Sequence, residues 1–199
     1  MRIYLAGAES MLNILAENNA KHVLATYYYL RHKSERTVDR LLNTFPDVFL
    51  DSGGFSLNVS LVKEGMTWDE AQQDPRIANY LEEYARFVDK WGHRFTAVAE
   101  LDVGPWEQKV RQREFLQQYT DRVIPVIHPT DPPEYQLYLM KNYEYVALGG
   151  VGDARSLTEI KSYVTRQLHR ARKYNTLLHG FAITVVEIMR MLPFFSADS

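Results

Sequence analysis

The chain has 199 residues, of which 46% are hydrophobic, and it contains 23 Lys and Arg, 25 Asp and Glu, and no cysteine. The lack of cysteine excludes disulfide scaffolds, thiolate zinc sites and cysteine nucleophiles. The formal net charge of −2 gives the whole chain no attraction to nucleic acid, so such binding would need a local basic face.

The sequence shows no targeting or membrane-spanning segment. Its N-terminus lacks the long apolar region and small-residue cleavage site of a secretory signal. No apolar run approaches the ~18–20 residues that span a bilayer. We therefore expect a cytoplasmic globular protein with no membrane partner.

Short apolar runs alternate with longer amphipathic stretches along the chain. The runs are continuous and rich in β-branched or aromatic residues, which is typical of strands buried on both faces of a parallel sheet. Eight strands are predicted: Ile3–Ala6, His22–Thr26, Val48–Leu50, Phe95–Leu101, Val123–Ile127, Tyr145–Leu148, Leu177–Ile183 and Phe194–Ala197.

A helix candidate lies in each of the seven gaps between these strands. Ser34 is a predicted N-cap, Thr67 and Glu70 form a predicted capping box, and Pro75 implies a break in the helix that follows. The clearest helical segments are Ser34–Phe45, Thr67–Trp91, Pro105–Tyr119, Pro133–Asn142, Ser156–Tyr174 and Thr184–Leu192.

Eight strand–helix units in succession predict an α/β fold, a TIM (β/α)8 barrel that forms a single domain over residues 1–199. The alternative is a doubly wound open sheet, which usually has fewer strands and whose GxGxxG loop after the first strand is missing here. The eighth strand would end at the C-terminus without its helix. Either the barrel is open there, or a partner covers it, or the chain is truncated.

The active site of a TIM barrel is built from the C-terminal ends of the strands and the loops that follow them. Asp51, Asp102 and Asp198 stand at such ends. Three carboxylates at one mouth suit glycosidic-bond chemistry, because a carboxylate stabilises or covalently traps an oxocarbenium-like transition state. The pair Gly53–Gly54 allows close approach of the backbone to a flat ligand, and Phe55 could stack on it.

Three segments resemble one family. LDSGGFS at Leu50–Ser56 resembles the DSGGFQ-type motif of the tRNA-guanine transglycosylase superfamily, which has a TIM-barrel fold. YVALGGVGD at Tyr145–Asp153 is similar to its base-binding loop, and FFSADS at Phe194–Ser199 is similar to its nucleophile strand. The opening IYLAGAES and the ending ADS resemble the shortened branch that acts on DNA, found in phages and DNA-modification islands.

This resemblance implies an enzyme that exchanges guanine for a 7-deazaguanine base in a polynucleotide, by double displacement through an Asp glycosyl-enzyme. Asp198 would be the nucleophile that attacks the sugar C1′. Asp51 would be the acid/base that handles the proton of the departing and incoming base. No cofactor is implied, and no metal site is expected because no HxH or HExxH spacing occurs.

The resemblance also implies the residues that bind the base. Ser52 and the backbone of Gly53–Gly54 would form the pocket, and Phe55 would stack on the base. Asp102 would read the N1–H and 2-amino donors of a guanine-type base. The backbone of Gly149 and Gly150 would meet its carbonyl.

Two histidines complete the predicted base pocket, each with an alternative. His128 stands where the family more often places a polar amide, and it could instead belong to a structural turn. His179 could instead be a satisfied core histidine.

Glu100 would share the role of Asp102 or belong to a buried ion pair, and Asp102 itself could cap the helix near Trp106.

Two segments are candidates for nucleic-acid binding. The run Tyr27-Tyr28-Tyr29 precedes Arg31, and aromatic residues beside basic ones suit stacking on a displaced base, with core packing as the alternative. A second, basic stretch would contact phosphates, unless it is only a solvated helix face. Its candidates are Lys161, Arg166, Arg170 and Lys173.

The predicted partners are a polynucleotide and a 7-deazaguanine base. The tRNA enzymes of the family carry a zinc site of cysteines and a histidine after the barrel, so the absence of cysteine favours DNA over tRNA. Two alternatives stay open. One is another TIM-barrel enzyme such as a hydrolase, and the other is an inactive or truncated barrel that binds nucleic acid or a base.

Overall fold

The computed structural model describes residues 1–151, 156–183 and 186–198. In this part of the chain parallel strands alternate with helices, and the fold is an α/β fold of the TIM-barrel type. The strands are β1 (Arg2–Ala6), β2 (His22–Thr26), β3 (Asp47–Asp51), β4 (Ala97–Ala99), β5 (Val123–Ile124), β6 (Val126–Ile127), β7 (Tyr145–Leu148), β8 (Leu177–Gly180) and β9 (Ser196–Asp198).

Helices occupy the connections between successive strands, except between β5 and β6, which only Pro125 separates, and a 3-10 turn at Gly92–Arg94 leads into β4. The α-helices are α1 (Ala8–Glu17), α2 (Tyr27–Leu30), α3 (Glu35–Thr44), α4 (Gly54–Lys63), α5 (Trp68–Ala71), α6 (Arg76–Trp91), α7 (Trp106–Leu116), α8 (Pro133–Asn142), α9 (Leu157–Tyr174) and α10 (Val186–Met191). None of the helices in the described ranges is long and apolar enough to cross a membrane.

The chain divides into two compact units. The terminal unit consists of Met1–Ala6 and Ile124–Ser199, and the central unit consists of Gly7–Val123. Each unit contains its own set of hydrogen-bonded parallel strands.

The terminal unit brings the first strand of the chain beside the last. Strands β6 to β9 pair in sequence order, and β1 then pairs with β9 in parallel, with Arg2 opposite Ser196 and Tyr4 opposite Asp198. A (β/α)8 barrel joins its first and last strands in this way, whereas a doubly wound open sheet does not. The pairing therefore confirms the predicted barrel class over the open sheet.

The central unit is built on β2, β3 and β4, which pair in parallel. Alternate residues such as Val23, Val48 and Leu50 are buried in one hydrophobic cluster. Helix α3 adds Val38 and Leu41 to this cluster. Their spacing places them on one face of the helix, which is the face expected to be buried. The packing fixes where β2, β3 and β4 end, and with them the loops that carry the candidate site.

The predicted helix starts in this unit are confirmed. The Ser34 hydroxyl accepts the N–H of Thr37 before α3, and Thr67 and Glu70 form the capping box of α5. Pro75 is the N-cap of α6, so the proline separates two helices as expected. These caps satisfy backbone donors that the first turn of a helix leaves without partners.

Some predicted bounds differ from the observed ones. The fifth predicted strand is divided at Pro125 into β5 and β6, because proline has no N–H for the ladder. Helix α4 was not predicted, since its sequence begins with Gly54 and Phe55 and contains β-branched residues that favour helices only weakly. The first two residues of the predicted helix Thr184–Leu192 lie outside the described residues.

Candidate functional site

The DSGGF segment forms a sharp turn from β3 into α4. Asp51 is the last residue of β3, and Gly53 adopts φ 76° before α4 begins at Gly54. A Cβ atom on Gly53 would lie 2.5 Å from the Cβ of Tyr28, so only glycine fits this left-handed position. The Ser52 hydroxyl accepts the Gly54 N–H at 3.4 Å, which ties the turn together. The turn thus places the Asp51 carboxyl at the carboxyl end of β3, where barrel enzymes hold their reactive groups.

Asp102 packs directly on this turn. A Cβ atom added to Gly54 would lie 3.0 Å from Asp102 Oδ1 and 2.8 Å from Val103 Cγ2. Two motifs that are 48 positions apart in the sequence therefore lie at contact distance within the central unit. Because Gly54 has no side chain, the Asp102 carboxylate reaches the backbone at the start of α4.

The loop that carries Asp102 is held by α7. Glu100 and Arg113 form a fully buried ion pair at 2.8 Å, so Glu100 is the buried pair member that the sequence allowed. The amide of Gln112, turned to donate, reaches the carbonyl oxygens of Leu101 and Val103. Helix α7 takes Pro105 as its N-cap. Asp102 is therefore not the cap of this helix.

Two buried tyrosines fix the ends of β3 and β4. The Tyr80 hydroxyl donates to the Ser52 carbonyl at 2.6 Å, and the Tyr84 hydroxyl donates to the Ala99 carbonyl at 2.9 Å. Burial raises the pKa of both phenols, and the charge of Asp51 raises each further. Both side chains are therefore neutral hydrogen-bond donors that hold the strand ends in place.

Glu9 is a buried carboxyl that the sequence pattern did not indicate as a site residue. It lies in the first turn of α1, and its Oε2 accepts the backbone N–H of Thr26 at 3.3 Å. Burial raises the pKa of Glu9, although its two backbone hydrogen bonds and Lys33 lower it in part. The available signal was its position just after the first strand, two residues past Gly7, which adopts φ 82°.

In the terminal unit, Asp198 ends β9 and is 7% exposed. Its Oδ1 accepts the backbone N–H of Ala182 at 3.0 Å and lies 3.2 Å from His179 Nε2. The strands β1 and β8 pair with β9 on either side. Asp198 is thus an ordered carboxylate rather than a frayed one.

His179 is completely buried and contacts Asp198 rather than lining an open pocket. Its Nδ1 lies 2.8 Å from Ser196 Oγ, which lies 2.6 Å from the Tyr145 hydroxyl. The ring meets Tyr4 and Phe181 edge-on at centroid distances of 5.9 and 4.6 Å. Polar contacts on both ring nitrogens and aromatic contacts around the ring together fix its orientation.

His128 and Gly149 lie against each other in the same unit. A Cβ atom on Gly149 would be 2.9 Å from His128 Nε2, so the imidazole packs on the glycine backbone. The backbone of His128 also forms the predicted turn, donating to Asp131 Oδ2 at 2.7 Å. Gly150 follows with φ 60°. The end of the predicted loop, Gly152 and Asp153, lies outside the described residues, as does Ser199.

The aromatic residues near the predicted site differ in exposure. Tyr27 is 3% exposed and packs on Tyr84 and Phe87, which is the core-packing alternative and leaves no face for stacking on a base. Phe55, in contrast, is 66% exposed and lies 5.8 Å from the Trp68 ring. Phe55 is therefore accessible to a ligand and Tyr27 is not.

The basic candidates lie at the surface of their helices. Arg31 lies over the Tyr28 ring at 4.9 Å and 3.8 Å from Glu83. On α9 the buried face carries apolar residues such as Val164. The cations Lys161, Arg166, Arg170 and Lys173 are exposed or half-buried.

The comparisons with known proteins identify no family. No protein-family model matches the sequence, and no curated protein matches it significantly. Among solved structures, the chain is similar to a Thermobacillus composti GH10 xylanase, with 11% sequence identity and a TM-score of 0.47. The match covers 90% of this chain and 66% of the xylanase, so the chain spans slightly less than two thirds of that protein. In the described ranges, no three His, Asp or Glu side chains form a set that could hold a metal ion.

Proposed function

We propose that this protein is a guanine transglycosylase that exchanges guanine for a 7-deazaguanine base in a polynucleotide. The observation that carries the proposal is the contact of Asp102 with the glycine turn after Asp51. It joins a carboxylate suited to the N1–H and 2-amino donors of guanine to a backbone that a flat base can approach closely. Phe55 is the second residue of α4, and its exposed ring offers a surface for stacking.

The reaction is a double displacement. Asp198 forms a bond to the sugar C1′ as the bond from C1′ to guanine breaks, and the departing guanine takes a proton from Asp51. The incoming base then gives a proton to Asp51 and attacks C1′, which breaks the bond to Asp198 and restores both carboxyl groups. No net oxidation occurs, and each proton leaves and returns at Asp51.

A nucleotide in a duplex must leave the base stack before its C1′ is accessible to a nucleophile. The exposed cations of α9, Arg166 among them, supply local positive charge for the phosphates despite a formal net charge of −2. The preference for DNA over tRNA rests on the resemblance of IYLAGAES and ADS to the DNA-acting branch.

Base exchange on both polymers tests the proposal. The purified protein is incubated with duplex DNA or with tRNA labelled in guanine, together with 7-deazaguanine bases, and the nucleosides are identified by mass spectrometry. We expect loss of guanine and incorporation of the 7-deazaguanine base in DNA. Asp198→Asn should abolish this exchange, whereas Asp89→Asn, an exposed position, should leave it unchanged.

Other results would contradict the proposal. Release of free guanine without incorporation would identify a hydrolase. Binding of DNA without any change in its nucleosides would identify a binding module. Exchange at the normal rate by Asp198→Asn would show that Asp198 is not the nucleophile.

A further inference from the structure

We propose that His179 is a positioning residue for Asp198, and that Ser196 and Tyr145 determine which nitrogen of its imidazole carries the proton. The role of Asp198 as nucleophile rests on the proposed function. The hydrogen-bond chain that carries this inference is a property of the terminal unit alone and needs no substrate.

Four side chains form this hydrogen-bond chain, each in contact with the next. The Tyr145 hydroxyl lies 2.6 Å from Ser196 Oγ, Ser196 Oγ lies 2.8 Å from His179 Nδ1, and His179 Nε2 lies 3.2 Å from Asp198 Oδ1. Ser196 and His179 are fully buried, and Asp198 is 7% exposed. Hydrogen bonds in such surroundings are stronger than the same bonds in water.

The carboxylate at one end of the hydrogen-bond chain determines which group donates and which accepts at each contact. An ionised carboxylate only accepts hydrogen bonds, so His179 Nε2 must donate to Asp198. In a neutral imidazole Nδ1 then accepts, and it receives the hydroxyl hydrogen of Ser196. The Ser196 oxygen in turn accepts the phenol hydrogen of Tyr145. This arrangement gives each of these groups a partner without placing a second charge in the buried cluster.

The backbone supplies a second donor to the same oxygen. The N–H of Ala182 donates to Asp198 Oδ1 at 3.0 Å, and Ala182 adopts φ 52°, a left-handed conformation that is unfavourable for a residue with a side chain. Strained backbone of this kind persists where the surrounding structure requires it, and such positions cluster at functional sites. Among the described residues, both donors to this carboxylate reach Oδ1, which assigns the attack on C1′ to Oδ2.

This assignment defines what His179 does during the reaction. When Oδ2 bonds to C1′, the carboxylate charge disappears and Oδ1 becomes the carbonyl oxygen of a glycosyl ester. When the incoming base attacks C1′, the bond to Oδ2 breaks and the charge returns to the carboxylate. The two N–H donors then stabilise that charge as it develops, and no proton has to leave His179.

A spectroscopic measurement that needs no substrate shows which nitrogen of His179 carries the proton. Protein labelled with ¹⁵N-histidine is examined by long-range ¹H–¹⁵N correlation, with His179→Gln used to assign the resonances. We expect the imidazole proton on Nε2 rather than on Nδ1, and a shifted Nδ1 resonance in Ser196→Ala. An Nδ1–H form in the wild-type protein would overturn the inference.

Two amide variants separate positioning from a general structural role. The nitrogen of Gln reaches the place of imidazole Nε2, whereas that of Asn reaches only the place of Nδ1. We expect His179→Gln to keep kcat within about tenfold and His179→Asn to lose about 10²–10³-fold in kcat with little change in KM. The control is His93→Gln, at an exposed position of the central unit. Normal kcat in His179→Asn would overturn the inference.

The two proposals fail in different ways. If the wild-type protein exchanges no base while His179 shows the Nε2–H form, the proposed function is wrong and the hydrogen-bond chain is upheld. If His179→Asn does not fold, Ser196→Ala decides: an unchanged Nδ1 resonance would contradict the chain, and a shifted one would support it.

Discussion

Glu100 and Arg113 form an ion pair at 2.8 Å in which both side chains are almost completely removed from solvent. Glu100 directly follows β4, and Arg113 lies in α7, so the pair joins the helix to the strand end that leads to Asp102. Removing charges from water is costly, and their mutual attraction and hydrogen bonds offset that cost only while both partners are present.

Breaking this pair should destabilise the protein strongly. Arg113→Met leaves the Glu100 carboxylate without the guanidinium, and we expect a loss of about 3–5 kcal/mol in the free energy of unfolding, measured with urea. The double variant Arg113→Met with Glu100→Leu should recover much of that loss. Arg86→Met, which removes an exposed cation 3.9 Å from Glu82, should cost under about 1 kcal/mol. Equal losses in the two single variants would contradict this account.

Gly54→Ala tests the contact between Asp102 and the glycine turn. The added Cβ would lie 2.8 Å from Val103 Cγ2 and 3.0 Å from Asp102 Oδ1, and overpacking of this kind costs about 1–3 kcal/mol. We expect base exchange to be lost as well, because the carboxylate must move. In the double variant with Val103→Ala, stability should recover in part while exchange should not. Recovery of both would show that the position of Asp102 is unimportant.

The raised pKa of Glu9 gives a pH dependence of defined sign. The folded state binds the Glu9 proton more tightly than the unfolded state does, so proton binding at Glu9 stabilises the fold. This contribution is fully present at pH values below 4.5, the ordinary pKa of the side chain, and it is lost as pH rises through the pKa of the folded state. The wild-type protein should therefore lose stability relative to Glu9→Gln as pH increases over this range.

Urea denaturation of both proteins at a series of pH values measures this difference. Glu17→Gln removes a carboxylate from the exposed surface of the same helix and controls for the change in net charge. A difference between wild type and Glu9→Gln that is constant with pH, or that favours wild type more as pH rises, would contradict the prediction.

The cations of α9 should contribute to DNA affinity through phosphates. Replacing Arg166, Arg170 and Lys173 together by Gln should weaken binding and reduce the slope of log affinity against log salt by about one for each phosphate that the variant no longer neutralises. A matched triple variant removes the same charge from exposed positions elsewhere: Arg36, Lys63 and Arg111. Equal effects of the two triple variants on the salt slope would show that α9 has no specific role.

The proposed reaction uses both Asp51 and Asp198, which gives a prediction for their double variant. Asp51→Asn and Asp198→Asn should each reduce exchange severely, and the double variant should be scarcely slower than the worse single variant, since residues that act together in one step are not additive. The measurement is the single-turnover rate of base incorporation. Multiplicative effects would indicate that the two carboxyl groups act in independent processes.

The sequence predicted the fold well because burial on both sides of a parallel strand leaves continuous apolar runs. Strands β2 and β7 and helix α8 have the predicted bounds. Helix α4 was missed since its residues have weak helix propensity and its start depends on the glycine turn, which packing on Tyr28 imposes. Local propensity does not contain such tertiary constraints.

The candidate site was predicted as a set of separate residues rather than as contacts. Position after a strand was enough to select Asp51, Asp102 and Asp198. It was not enough to show that His179 contacts Asp198, because that contact depends on the pairing of β8 with β9. Glu9 also follows a strand, but nothing in its sequence neighbourhood shows that its side chain is buried, and it was therefore missed.

The pairing of β1 with β9 has a consequence for the order of folding. Residues near opposite ends of the chain hydrogen-bond there, with the Arg2 N–H donating to the Phe195 carbonyl at 2.9 Å. Contacts between residues so distant in sequence form slowly, because closing a long loop has the largest entropy cost. During synthesis the strand that carries Asp198 can pair with β1 only after all the residues between these two strands have been made, so this carboxylate gains the support of β1 late in folding.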